Sequence, residues 1–167
     1  MLSRERPALD RRCLRLLDEL ATGCVAGIGS PATTVAELHD SYHDASTALF
    51  LAARLPGTTR VAHIDDLRVP EIVAAGSQHT RTRFVRALLG DLRAQTDWPT
   101  PRQTITAWCE CGLNLVRAAA ELQIHRNTLI YRLNKIEELT GHSTRVARFV
   151  LRLYLACIAD YLESSDR

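Results

Sequence analysis

The chain has 167 residues, of which 46% are hydrophobic and only 5% aromatic, and its formal net charge is +2. That is apolar material for one ordinary soluble domain or two small ones. It excludes a bilayer-spanning segment, because no run of about 18 apolar residues occurs, and the charge is too small to announce nucleic acid without a look at its distribution.

The N-terminal "MLSRERPALDRRC" carries charges where a secretory signal needs an apolar core, so the expected compartment is the cytoplasm. From Pro7 to Leu20, Leu9, Cys13, Leu16, Leu17 and Leu20 recur at helical spacing and Gly23 follows as a stop. "CVAGIGSP" reads as a short buried strand ending in a turn. The next stretch opens with a capping box, Thr34 to Glu37, and predicts a long helix closing at Pro56-Gly57. "TRVAHID" is a second strand, and from about Leu67 to Leu162 the pattern is helices with short breaks. Two strands cannot close a covered sheet. Further strands are therefore expected from a partner chain or from a longer protein of which this is the back half.

Five cysteines, an odd number, lie in segments that read as helix or strand, and reduced thiols are expected. The Cys109-x-Cys111 pair has no second Cys/His pair at zinc spacing. His39 and His43 have ligand spacing without an evident third ligand, so with Asp44 they read as an exposed helix face. Gly23, Gly27 and Gly29 fit neither a P-loop nor a dinucleotide fingerprint and read as a strand-to-helix turn. No GGDEF-type catalytic sequence is present. No catalytic residue, metal or cofactor is expected.

The informative stretch is "ELQIHRNTLIYRLNKIEELTG". Thr100 is the expected cap of a helix with Pro101 at its first position, ended by Gly112. Asn114 caps a second helix containing Ala118, Ala119 and Ala120, whose small side chains admit a neighbouring helix. After about three residues a third helix runs from Arg126 to Leu139, with Gly141 beyond it. This is the helix-turn-helix pattern. On a helical wheel Leu129, Leu133, Ile136 and Thr140 share one side, while Asn127, Thr128, Tyr131, Asn134 and Lys135 share the other, with Arg132 flanking them. No acid occurs from Leu122 to Ile136. Amide and guanidinium groups at the start of such a helix read base edges, where a carboxylate would be repelled by phosphates. His125 either donates to a phosphate or caps this helix. In the last helix Val146, Val150, Leu153, Cys157 and Tyr161 form a packing stripe, with Arg145, Arg148 and Arg152 beside it.

"LNLVRAAAELQIHRNTLIYRLNKIEELTG" resembles the C-terminal helix-turn-helix of the PucR/CdaR family of bacterial transcription regulators, through Asn114, Ala119, Leu122, "HRNT", "YRL" and "TG". It is similar also to the DNA-binding helices of the Fis type. Ala118 departs from the family, which more often has a hydroxyl residue there. Upstream, Gly27, Gly29, Tyr42 and Ala45 resemble the later part of the GGDEF-like domain of the CdaR branch. The resemblance implies a mainly α protein with a small partial α/β region: a partial GGDEF-like domain over 1–76, a linking helix over 77–99 and a three-helical, Fis-like helix-turn-helix domain over 100–167. It implies a non-enzymatic transcriptional regulator that binds double-stranded DNA, as a homodimer, through His125, Arg126, Asn127, Thr128, Tyr131, Arg132 and Lys135. The rival reading is an interaction module that dimerises with full-length regulators through an open strand edge and does not bind an operator.

Overall fold

The computed structural model describes residues 6–20, 23–57 and 59–164 and divides after Ala75 into two units, Met1–Ala75 and Gly76–Arg167. The first five residues of the expected 1–76 region and the last three of the expected 100–167 region lie outside the described residues.

In the first unit the elements are α1 (Arg6–Glu19), β1 (Ala26–Ile28), α2 (Val35–Ala52), β2 (Val61–His63) and α3 (Ile64–Ala75). The strands pair in parallel, Ala26 with Val61, Gly27 with Ala62 and Ile28 with His63. A parallel pair needs a long crossover, and α2 is that crossover. Its start is fixed locally: the Thr34 hydroxyl accepts from the Glu37 amide while Glu37 accepts from the Thr34 amide. The helix ends at Ala52, before Pro56-Gly57, with the Arg54 amide tightening the last turn onto the Leu51 carbonyl. Gly27 and Gly29 let α2 lie against β1. A Cβ at Gly27 would meet the Ala45 carbonyl oxygen at 2.2 Å, and one at Gly29 the Ser41 carbonyl oxygen at 1.9 Å. The interior is small, with Leu17, Leu51, Ile64 and Leu67 among its larger buried side chains.

Asp44 corrects the expectation of an exposed helix face. His39 and His43 are exposed, but the Asp44 side chain is only 14% exposed. Its carboxylate accepts from Arg68 at 2.8 and 3.0 Å and from the Ser30 hydroxyl at 2.6 Å, joining the end of β1, α2 and α3. Arg68, foremost, and Ser30 hold the Asp44 carboxyl down at about 2, against an ordinary value of 3.8. Since the folded-state value is depressed, the stabilisation is complete above the ordinary value and lost as pH falls from there through about 2. The first unit is expected to loosen over that acid window, and Asp44→Asn to flatten the dependence in an acid titration followed by circular dichroism. An unchanged acid profile in the variant would refute the role given to Asp44.

The second unit contains α4 (Gln78–Arg93), α5 (Pro99–Glu110), α6 (Leu115–Glu121), α7 (Arg126–Thr140) and α8 (Ala147–Ser164). The stretch 77–99, read as a linking helix, supplies α4, which packs along α8 and against α7 through buried Val85, Leu89 and Leu92. Helix α5 begins two residues earlier than the sequence suggests, with Trp98 rather than Thr100 at the cap position. Pro99 takes the first position, where its missing N–H costs nothing, and Thr100 lies inside the helix, its carbonyl accepting from the Thr104 hydroxyl at 2.8 Å. Asp160, fully buried on α8, is the centre of the bundle's polar tether. Arg102 reaches its Oδ2 at 2.7 Å and the Trp98 indole N–H reaches the same oxygen at 3.1 Å. Arg93 Nε lies 3.0 Å from Oδ1, close enough for an ion pair but not aligned as a hydrogen bond.

Among the described residues no helix is long and apolar enough to cross a membrane. No group of three or more His, Cys, Asp or Glu side chains among them is placed to hold a metal ion. Cys109 and Cys111 are half-buried free thiols of the α5 end. Burial, with the Glu110 charge beside it, pushes the Cys109 thiol up to about 12, which keeps it protonated and a poor metal ligand at neutral pH.

Candidate nucleic-acid interface

The interface is built on the two helices that follow Gly112. The Asn114 carboxamide oxygen accepts from the Val116 and Arg117 amides at 3.0 and 3.1 Å and starts α6. Ala118 and Ala119, both buried, form the closely packed side of α6 that faces its neighbours α5 and α7. The turn that follows is unusual in its residue. Gln123 adopts φ 54°, a left-handed conformation that glycine more often supplies, and the chain closes with the Ile124 amide on the Ala119 carbonyl at 2.9 Å and the Gln123 amide on the Ala120 carbonyl at 3.0 Å. This is a Schellman closure.

His125 then caps α7: its Nδ1 accepts from the Asn127 amide at 3.2 Å. Of the two roles open from the sequence, the structure shows the cap. One side of α7 is anchored by Leu129, Leu133 and Ile136, all buried, whose removal from water contributes about 1.5–3 kcal/mol each. Thr140 is half-buried at the end of the same side, and Gly141 closes the helix at φ 67°.

The opposite side divides in two. Arg126, Asn127 and Thr128 are exposed on the first turn, and Tyr131, one turn on, is 68% exposed. Arg132 and Lys135 turn instead toward the start of α5. Arg132 Nη1 lies 3.4 Å from the Thr104 hydroxyl, and Lys135 Nζ lies 3.8 Å from Asp97 Oδ2. Between them runs a groove of about 230 Å³, bordered by Thr128, Tyr131 and Lys135 on α7 and by Asp97, Thr100 and Pro101. The Lys135–Asp97 pair is exposed and worth little, whereas the Arg132 contact, though long, is partly buried against the fully buried Thr104. Asp97 was not legible as a neighbour of this face, since nothing local in "AQTDWPTP" points to residue 135.

The acids of α7 are kept away from the first turn. Glu137 accepts from the Thr144 amide and hydroxyl at 2.5 and 2.7 Å and from the Ser143 hydroxyl at 3.0 Å. These bonds, the Thr144 hydroxyl foremost, hold its carboxyl below the usual carboxylate range. Glu137 therefore serves the α7–α8 turn. Charge also separates by unit. Residues 76–167 carry thirteen Arg or Lys against nine Asp or Glu, whereas residues 1–75 carry eight against ten. The near-neutral total conceals a basic second unit and an acidic first one.

A short helix rich in small residues, a three-residue turn and a second helix with an exposed, acid-free first turn define the second unit as a helix-turn-helix domain. Residues 102–159 match the PucR C-terminal helix-turn-helix domain, and residues 2–51 match the GGDEF-like domain. The chain belongs to the PucR/CdaR family of helix-turn-helix proteins. It is 30% identical over 133 residues to the purine catabolism regulatory protein of Bacillus subtilis (strain 168), a match covering 78% of this chain and 25% of that protein. It is 28% identical over 114 residues to the carbohydrate diacid regulator of Escherichia coli (strain K12), covering 68% of this chain and 30% of that one. The crystal structure of the regulator of polyketide synthase expression from Bifidobacterium adolescentis matches at 26% identity with a TM-score of 0.44, over 76% of this chain and 51% of that chain. The chain spans roughly a quarter to a third of the length of the curated relatives it matches.

Proposed function

We propose that this chain is a non-enzymatic, cytoplasmic transcriptional regulator that binds double-stranded DNA by laying the first two turns of α7 in the major groove. The supporting observation is the exposed cluster Arg126, Asn127, Thr128 and Tyr131 on a helix whose other side is buried and whose two acids, Glu137 and Glu138, lie near its far end. Arg126 and Asn127 are suited to bidentate contacts with guanine and adenine edges. Thr128 and Tyr131 supply hydroxyl contacts to base or phosphate. His125 holds the helix entrance as its cap. Lys135 reaches a phosphate by leaving Asp97, an exchange that costs little because that pair is exposed and long, and Arg132 does so by releasing Thr104. The relatives named as regulators of purine catabolism and of carbohydrate diacids favour the same reading. Paired half-sites read by two such helices call for a homodimer.

The test is selection of bound sites from a random DNA pool, followed by titration at fixed salt. Arg126→Ala and Thr128→Ala are each expected to weaken the selected site by about 1–3 kcal/mol with the fold intact, Arg126→Ala also relaxing base preference. Lys135→Ala is expected to weaken all sequences alike and to lower the slope of log affinity against log salt by about one. Unchanged affinity in the first two variants would remove the assignments. A flat salt dependence would favour the interaction module that does not bind an operator.

A further inference from the structure

Asp97 stands just before α5, where an acid ordinarily serves the start of the helix, and its side chain does something else. Its main-chain carbonyl accepts from the Thr100 amide at 2.8 Å, a bond that any residue could make. No side chain caps α5. The Asp97 carboxylate turns instead to α7, where its one charged neighbour within 4 Å among the described residues is Lys135, at 3.8 Å. With the two side chains 54% and 42% exposed, the pair adds little to stability, so the fold does not account for the acid. Its surroundings do. Asp97 is the only acid bordering the groove that Thr128, Tyr131 and Lys135 share, and α7 itself has none before Glu137.

We infer that Asp97 is an affinity-limiting residue: it competes with DNA phosphate for Lys135 and repels the phosphate that would replace it. The inference rests on the DNA reading above and adds to it what sets the strength of binding. A phosphate oxygen about 2.8 Å from the Lys135 ammonium lies within about 7 Å of the carboxylate. That is inside the Debye length of about 8 Å at physiological salt, so the repulsion survives screening. Two unit charges at this separation shift an equilibrium about threefold in bulk water, and further at the lower effective dielectric of a protein surface. The penalty falls on phosphate contact, which every sequence shares, and spares the base edges. Arg132 is likewise drawn toward the start of α5, by Thr104. The cations of the second half of α7 are therefore engaged in the free protein, while Arg126, Asn127 and Thr128 on its first turn stand exposed. Backbone attraction is held down and base contacts decide where the helix settles.

The test is fluorescence anisotropy of the full chain on a selected duplex and on a scrambled one, from about 50 mM to about 200 mM salt. Asp97→Asn is expected to tighten both duplexes by about three- to tenfold at the low end, with base preference unchanged. The gain should shrink as salt rises, which steepens the slope of log affinity against log salt by up to about one. Asp97→Glu keeps the charge and is expected to stay near wild type. In a Lys135→Ala background Asp97→Asn should gain less, because the competition for the ammonium is gone. Thermal midpoints of the Asp97 variants should match wild type, since the pair is exposed. Unchanged or weaker binding by Asp97→Asn would overturn the inference, as would a gain that Asp97→Glu shares, that salt leaves untouched or that Lys135→Ala does not reduce. In each of those cases the DNA reading still stands if wild type binds and Arg126→Ala does not. A wild-type chain with no affinity for either duplex would overturn both.

Discussion

Replacing Asp160 with alanine is expected to destabilise the second unit by about 3–5 kcal/mol, the usual consequence of removing one partner from a buried ion pair. The carboxylate is fully buried, and three groups depend on it: Arg102, the Trp98 indole and Arg93. Without it two guanidinium groups, 17% and 30% exposed, face each other across a polar void. Their mutual repulsion adds to the lost attraction. Because the three partners sit on α4, on α5 and at its entrance, the damage is not confined to α8. Helix α7 rests against α4 and α5, so the proposed DNA-reading turn loses its support as well. Both tryptophans of the chain, Trp98 and Trp108, lie in this unit. Thermal unfolding followed by tryptophan emission should therefore show a large drop in midpoint, with specific DNA binding lost in parallel. A midpoint within a degree or two of wild type would show that the tether is dispensable. Asp160→Asn, which keeps the shape and one acceptor, is expected to fall between the two.

This tether shows why part of the molecule could be seen in the sequence and part could not. Features that depend on neighbours three or four residues apart were legible: the Thr34–Glu37 box, the Asn114 cap and the buried side of α7. Asp160 depends on partners 58 to 67 positions away, and no local pattern names them. A signal was nevertheless present. Leu153, Cys157 and Asp160 fall on one stripe of α8, and an acid inside an apolar stripe calls for a buried cation. The same distinction divides the candidate interface. Exposure of Arg126, Asn127, Thr128 and Tyr131 follows from the period of the helix. The turning of Arg132 and Lys135 toward Thr104 and Asp97 follows from where α5 begins, at Pro99, two residues before the expected Pro101. Asp44 was misplaced for a related reason. Grouped with His39 and His43 by proximity, it lies on the side of α2 that carries buried Ala48 and Leu51, and its partners Ser30 and Arg68 come from other elements.

Gly29→Ala is the second substitution expected to act on a whole unit. The added carbon would lie 1.9 Å from the Ser41 carbonyl oxygen, and both the glycine and the obstructing group are backbone, so no side-chain rotation relieves the clash. Helix α2 would have to retreat by more than about 1 Å to restore a van der Waals separation. That retreat opens the seam at Gly27 too, where the Ala45 carbonyl approaches the strand, and it pulls Asp44 from the Ser30 hydroxyl 2.6 Å away. Overpacking ordinarily costs about 1–3 kcal/mol and more when the backbone must move. The first unit has few resources to absorb this, with two strands of three residues and a small apolar interior. Its cooperative loss is the expected result. Far-UV circular dichroism should fall by the share of α1, α2 and α3, while emission from Trp98 and Trp108, both in the second unit, stays native. Binding of the second unit to a single DNA half-site is expected to persist. Native helicity in this variant would mean that the close approach of α2 to β1 is not what holds the first unit together.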